Sequence, residues 1–64
     1  MKIALTIDST DNAAFGDTEQ DARNECARII RETSEAIDLG SNGGPLMDLN
    51  GNKVGRFDVS DNRL

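Results

Sequence analysis

Leu46-Met47-Asp48-Leu49-Asn50-Gly51-Asn52-Lys53-Val54-Gly55-Arg56-Phe57-Asp58-Val59 is the stretch that decides the fold. Asn-Gly between two strand-like runs is the strongest short-range hairpin signal, because both residues tolerate positive φ. With Asn50 and Gly51 as the two central residues, Asp48 faces Lys53 and Leu46 faces Gly55. Leu46, Gly55, Phe57 and Val59 then share one face, while Met47, Leu49 and Val54 point to the other. A three-residue turn with a bulge is the alternative, and it changes that register.

Upstream of the hairpin, Gly40-Ser41-Asn42-Gly43-Gly44 is turn chemistry, too short to separate two domains. Before it lies the clearest element, a helix expected over 18–39. Asp17 or Thr18 caps it, and Glu19 and Asp21 put negative charge at the positive end of its dipole. Ala22, Cys26, Ile29, Ile30, Thr33 and Ile37 recur at spacings of three and four, with Ala36 widening the apolar stripe. Glu19–Arg23, Arg28–Glu32 and Arg31–Glu35 are acid–base pairs four residues apart on the outer face. Gly40 is the natural stop, with Pro45 beyond it. Phe15, just ahead of the cap, is placed to fold back on the first turns.

At the start of the chain Met1, Ile3, Leu5 and Ile7 alternate with Lys2, Ala4 and Thr6, a half-buried strand. Asp8-Ser9-Thr10-Asp11-Asn12 follows as a loop, since short polar side chains bond nearby backbone in preference to continuing a strand. The order is β-α-β-β. The helix returns the chain to a strand parallel to the first, and the final strand runs against both. The expected fold class is α+β: one domain over 1–64, a three-stranded antiparallel sheet in order 1-3-2, and the helix across one face. Ile3, Leu5, Ile7, Cys26, Ile29, Ile30, Thr33, Ile37, Leu46 and Phe57 form the expected core. With 36% apolar residues and Phe15 and Phe57 as the only aromatics, that core is thin.

Twelve acidic against seven basic residues give a net charge of −5 without histidine. That balance argues against direct nucleic-acid binding, which needs cations to displace counterions from phosphates. One cysteine forms no internal disulfide, which fits a reducing compartment. No stretch resembles a leader or a membrane helix, so a soluble protein of the cytoplasm is expected.

Leu5-Thr6-Ile7-Asp8-Ser9-Thr10-Asp11-Asn12-Ala13-Ala14-Phe15, together with Asn50-Gly51-Asn52-Lys53-Val54-Gly55, resembles a group of short bacteriophage-encoded proteins. They share an alternating first strand, an Asp-Asn-Ala-Ala-Phe segment, one amphipathic helix and an Asn-Gly-Asn hairpin. The resemblance spans nearly the whole chain, and its specificity rests on about fifteen residues. It brings no catalytic or ligand-binding residues to carry over. It implies a phage origin, residence in the host-cell cytoplasm, and a host or phage protein as partner, because small early phage proteins often inhibit host machinery or defence systems.

The residue types point away from catalysis. Nucleophilic chemistry needs an activating base, and Cys26 on the apolar stripe behaves as a small hydrophobe. Asp48-Leu49-Asn50-Gly51-Asn52 superficially matches an EF-hand loop, but its glycine comes too early and Val59 stands where the bidentate glutamate belongs. Asp8 and Asp11 are weak as a cation site, and Gly43 and Gly44 precede a strand, not a helix N-terminus. Neither a metal nor a cofactor is expected, and the chain reads as a non-enzyme.

Two interaction surfaces remain. Asp8, Asp11, Asp17, Glu19 and Asp21 crowd one acidic stretch that would imitate nucleic-acid phosphates in a basic groove; capping and loop formation explain the same residues. Met47, Leu49 and Val54, beside Ala4 and Thr6, would form an apolar patch on the sheet face that the helix leaves open. Through it the chain would bind a protein partner or form a homodimer. Two function classes follow: a protein-binding module that inhibits a host protein or defence system, or a structural component that assembles by self-association.

Overall fold

A computed structural model describes residues 1–61. The elements are β1 (Lys2–Ile7), a 3-10 turn η1 (Ala13–Phe15), α1 (Glu19–Asp38), β2 (Gly43–Met47) and β3 (Lys53–Ser60). The sheet is antiparallel in the order β1-β3-β2, as the sequence predicts, with α1 on one face. Lys2 lies opposite Ser60 and Ile7 opposite Gly55, while Gly43 lies opposite Asp58 and Leu46 opposite Gly55.

Both ends of α1 are closed by local hydrogen bonds. Thr18 is the N-cap: its Oγ1 accepts from the Asp21 amide at 3.0 Å. At the far end Gly40, at φ +100°, donates to the Ile37 carbonyl, and the Ser41 amide reaches back to Ala36. That pair of bonds is a Schellman stop, and glycine supplies the left-handed residue it requires. Phe15 folds under the first turns and is fully buried, held there by η1, whose N-cap Asn12 accepts the Ala14 amide at 2.9 Å.

The core is smaller than the sequence implies. Phe15, Ile29, Leu46, Val54 and Phe57 are buried, with Leu5, Ile7, Cys26, Ile37 and Val59 packed around them. Thr33 is buried too, its hydroxyl donating to the Ile29 carbonyl at 2.8 Å. Two expected core residues lie largely outside: Ile3 is 50% exposed and Ile30 47% exposed. One helix cannot cover three strands. The side of α1 bearing Glu25 and Arg28 is tied to the β2–β3 turn, and α1 packs against β2 more than against β1. The flank carrying Ile30 and the outer part of β1 therefore stay at the surface.

The hairpin differs from the two-residue turn, and the difference moves a candidate interface residue. The Asp48 amide donates to the Asn52 carbonyl and the Gly51 amide to the Asp48 carbonyl, so the loop is Leu49-Asn50-Gly51, with Gly51 at φ +83°. The register slips between Leu46 and Met47, so that Met47, not Asp48, faces Lys53. The extra residue in β3 is a bulge that rotates Val54 into the core, where it is 1% exposed. Val54 is thus removed from the open sheet face. At the same place a Cβ on Gly55 would overlap the Thr6 carbonyl oxygen, so only glycine fits there.

Truncation should separate these two groups of residues. Phe15→Ala is expected to cost about 3–5 kcal/mol, most of what so small a domain has, and to leave the chain unfolded at 37 °C. Ile30→Ala should cost less than about 1 kcal/mol and melt within a few degrees of the parent, because its side chain is already half in water. Thermal melts followed by helical circular dichroism check both.

Candidate functional site

Sequence reasoning missed the feature that organises the surface: a polar network buried between α1 and the hairpin loop. Glu25 is 7% exposed and Asp48 is 5% exposed. Glu25 occupies the inner face of α1 one turn before Ile29, where the apolar stripe would place an aliphatic residue. A carboxylate interrupting that stripe was the available signal. Its Oε1 accepts Arg28 Nε at 2.8 Å and its Oε2 accepts Arg28 Nη2 at 2.8 Å, a two-pronged pair. Oε2 also accepts the Leu49 backbone amide at 2.7 Å, across from helix to loop. Arg28 donates further to the Met47 carbonyl at 3.4 Å and pairs with Glu32 at 3.0 Å.

Asp48 holds the loop from inside. Its Oδ1 accepts the amides of Asn50 and Asn52, both at 2.9 Å, and its Oδ2 accepts the Asn52 side chain at 3.2 Å. The Asn12 side chain, whose Nδ2 donates to the Ser9 carbonyl at 3.4 Å, adds a smaller favourable influence on the same carboxylate. No buried side-chain polar atom among the described residues lacks a partner.

The electrostatics follow from these bonds. Arg28 holds the Glu25 carboxyl below the usual glutamate range; burial opposes this, and the Leu49 amide assists. Glu25 in turn raises the Arg28 guanidinium. Burial pushes the Asp48 carboxyl up, but the Asn52, Asn50 and Asn12 donors outweigh it, leaving the group lowered. Both carboxylates are fixed anions.

What the network displays is Leu49, 70% exposed on a loop whose backbone is bonded at Asp48, Leu49, Asn50, Gly51 and Asn52. Met47 is also exposed, and so is Pro45. These residues alternate along β2 and into the turn. The centre of the open sheet face is polar instead: Arg56 and Asp58 form an ion pair at 2.8 Å, flanked by Ala4 and Thr6 of β1. Of the apolar patch expected there, Met47 and Leu49 stay exposed, at the β2 margin, while Val54 does not belong to it.

The acidic stretch is not gathered into one surface. Asp8 lines a shallow depression with Thr6, Lys53 and Arg56 on the open side of the sheet. Asp17, Glu19 and Asp21 lie at the start of α1 on the other side. There Glu19 pairs with Arg23 at 2.8 Å, and Asp21 accepts the Asp17 amide at 3.3 Å. Asp11 is exposed in the loop between. Capping and helix pairing account for the three at α1. No group of three or more cysteine or carboxylate side chains that could hold a metal ion occurs among the described residues, and no described helix is long and apolar enough to cross a membrane.

The network sets an acid limit on stability. Glu25 and Asp48 bind protons more weakly in the folded than in the unfolded chain, so their stabilisation is complete above the unfolded values. It is lost as pH falls through the lower folded ones. The melting temperature should be level near neutrality and decline below about pH 4.5, the ordinary glutamate value. Glu25→Gln should cost about 1–3 kcal/mol at pH 7 and make that decline shallower. Melts of parent and variant from neutral to strongly acidic buffer test this.

No family model, curated protein or solved structure matches this chain, so its function is argued from the geometry of the site itself.

Proposed function

We propose that the chain is a protein-binding module whose contact residue is Leu49, presented with Met47 at the margin of the hairpin. The observation that carries this reading is a large apolar side chain in water on a backbone already immobilised by Glu25 and Asp48. Ordering a loop on binding is costly, and a loop ordered beforehand avoids that cost. An exposed aliphatic group on such a support suits the desolvated centre of an interface. The resemblance to small phage-encoded proteins supports a host protein as the partner, in the host cytoplasm, with inhibition of host machinery or a defence system as the outcome.

Both buried carboxylates are held as anions, the reverse of what proton transfer near neutral pH needs. That supports a binding role over an enzymatic one. The dispersal of Asp8 and Asp11 from Asp17, Glu19 and Asp21 favours the apolar margin over an acidic imitation of nucleic acid.

Capture from host lysate with mass-spectrometric identification supplies the partner, and titration of variants tests the surface. Leu49→Lys should weaken binding by about thirtyfold or more, the loss typical of a central contact, while helical circular dichroism is unchanged. Asp17→Asn with Asp21→Asn should leave the constant within a factor of about two, and added salt should change it little. Full affinity in Leu49→Lys would remove Leu49 from the interface. A steep salt dependence abolished by the Asn variants would return the acidic stretch to first place.

A further inference from the structure

The two edges of the sheet are treated differently by the rest of the molecule. The Asp8 amide donates to the Val54 carbonyl and the Val59 amide to the Asn42 carbonyl, both at 2.9 Å. With the antiparallel registers, alternation then fixes every outward-facing residue. On β2 these are Gly43, Pro45 and Met47. Pro45 has no amide hydrogen to offer, and Arg28 already reaches the Met47 carbonyl, so that edge is blunted. On β1 they are Ile3, Leu5 and Ile7. No side chain or loop among the described residues bonds their outward amides or carbonyls. Ile3 beside them is half exposed.

We propose that this edge pairs with β1 of a second copy of the chain, antiparallel about a two-fold axis at Leu5, to give a six-stranded sheet. A two-fold contact must be self-complementary, each residue i facing j while j faces i. With Leu5 facing Leu5 of the second copy, Ile3 faces Ile7 and Ile7 faces Ile3. All three are outward-bonding residues, so the register exchanges a full set of main-chain bonds. Their side chains lie on the helix-covered face and form an apolar ladder that covers Ile3. On the open face Ala4 meets Thr6, and Lys2 meets Asp8.

That last pair selects the register. Lys2 and Asp8 carry opposite charge and stand equally far from Leu5, so the symmetric alignment brings them together twice. Neither has an ion-pair partner among the described residues of its own chain. Sliding the strands by one pairing step sets Lys2 against Thr6 or Thr10 and loses both contacts. Lysine on an edge strand ordinarily discourages pairing; here it discourages every alignment but one. The contact uses the edge opposite the β2 margin that carries Met47, and it is independent of the partner proposed for Leu49.

Sedimentation equilibrium of the full chain from about 1 µM to 1 mM, a span that brackets weak strand-edge association, tests the proposal. The parent should dimerise within that range. Lys2→Glu or Asp8→Lys alone should each weaken the dimer about tenfold or more, since both turn two attractive cross-strand pairs into repulsive ones. The combined Lys2→Glu, Asp8→Lys variant should recover the parent constant, and an equimolar mixture of the two single variants should form heterodimers. Helical circular dichroism checks that each variant is folded. A parent that stays monomeric at 1 mM overturns the proposal. So does a dimer that the single changes leave intact, or one that neither the combined variant nor the mixture restores.

Discussion

The Glu25 carboxylate, accepting the Leu49 amide while gripping Arg28, decides where α1 lies. A helix about 10 Å across covers about two strands of a sheet whose strands are ~4.8 Å apart. Bonding α1 to the β2–β3 loop commits its cover to that side. Burial of Leu46, Val54 and Phe57, exposure of Ile3 and Ile30, and the bare outer edge of β1 all follow from that commitment. A buried ion pair is a weak source of net stability, because desolvation offsets much of its attraction. Its value here is placement.

The fold was legible because its signals were local and agreed with one another. Thr18, the spacing from Ala22 to Ile37 and Gly40 fix the helix nearly to the residue, and Asn50-Gly51 marks the hairpin. Chain direction then leaves the order β1-β3-β2. Less legible was which flank of the stripe sinks. Periodicity puts Ile30 beside Ile29 on the wheel, but whether the sheet reaches under it depends on a tertiary bond from Glu25, which a hydropathy pattern scores as solvent-facing.

Val54 shows the other limit. Both turn types were consistent with Asp48-Leu49-Asn50-Gly51-Asn52, and they differ by one extra residue in β3 ahead of Gly55, which decides the face of Val54 while Leu46 still faces Gly55 and Phe57 stays in the core. The choice rests on Asp48 collecting the Asn50 and Asn52 amides, bonds that form only once the loop has closed around its carboxylate. The candidate surface was therefore half readable. Met47 and Leu49 were identified from alternation, whereas the network that stiffens the loop beneath them rests on residues that look like ordinary surface polars.

The pairing of β1 with β3, Lys2 across from Ser60, has a consequence for how the chain reaches its native state. The helix and the β2–β3 hairpin close over short sequence distances, but β1 finds its partner only by closing a loop that includes both of them. Such non-local pairing slows folding relative to a helical chain of equal length. During synthesis β1 emerges first and β3 only after the helix and β2. For that interval Ile3, Leu5 and Ile7 lie on a strand with neither edge paired, when chains on neighbouring ribosomes are most able to associate wrongly.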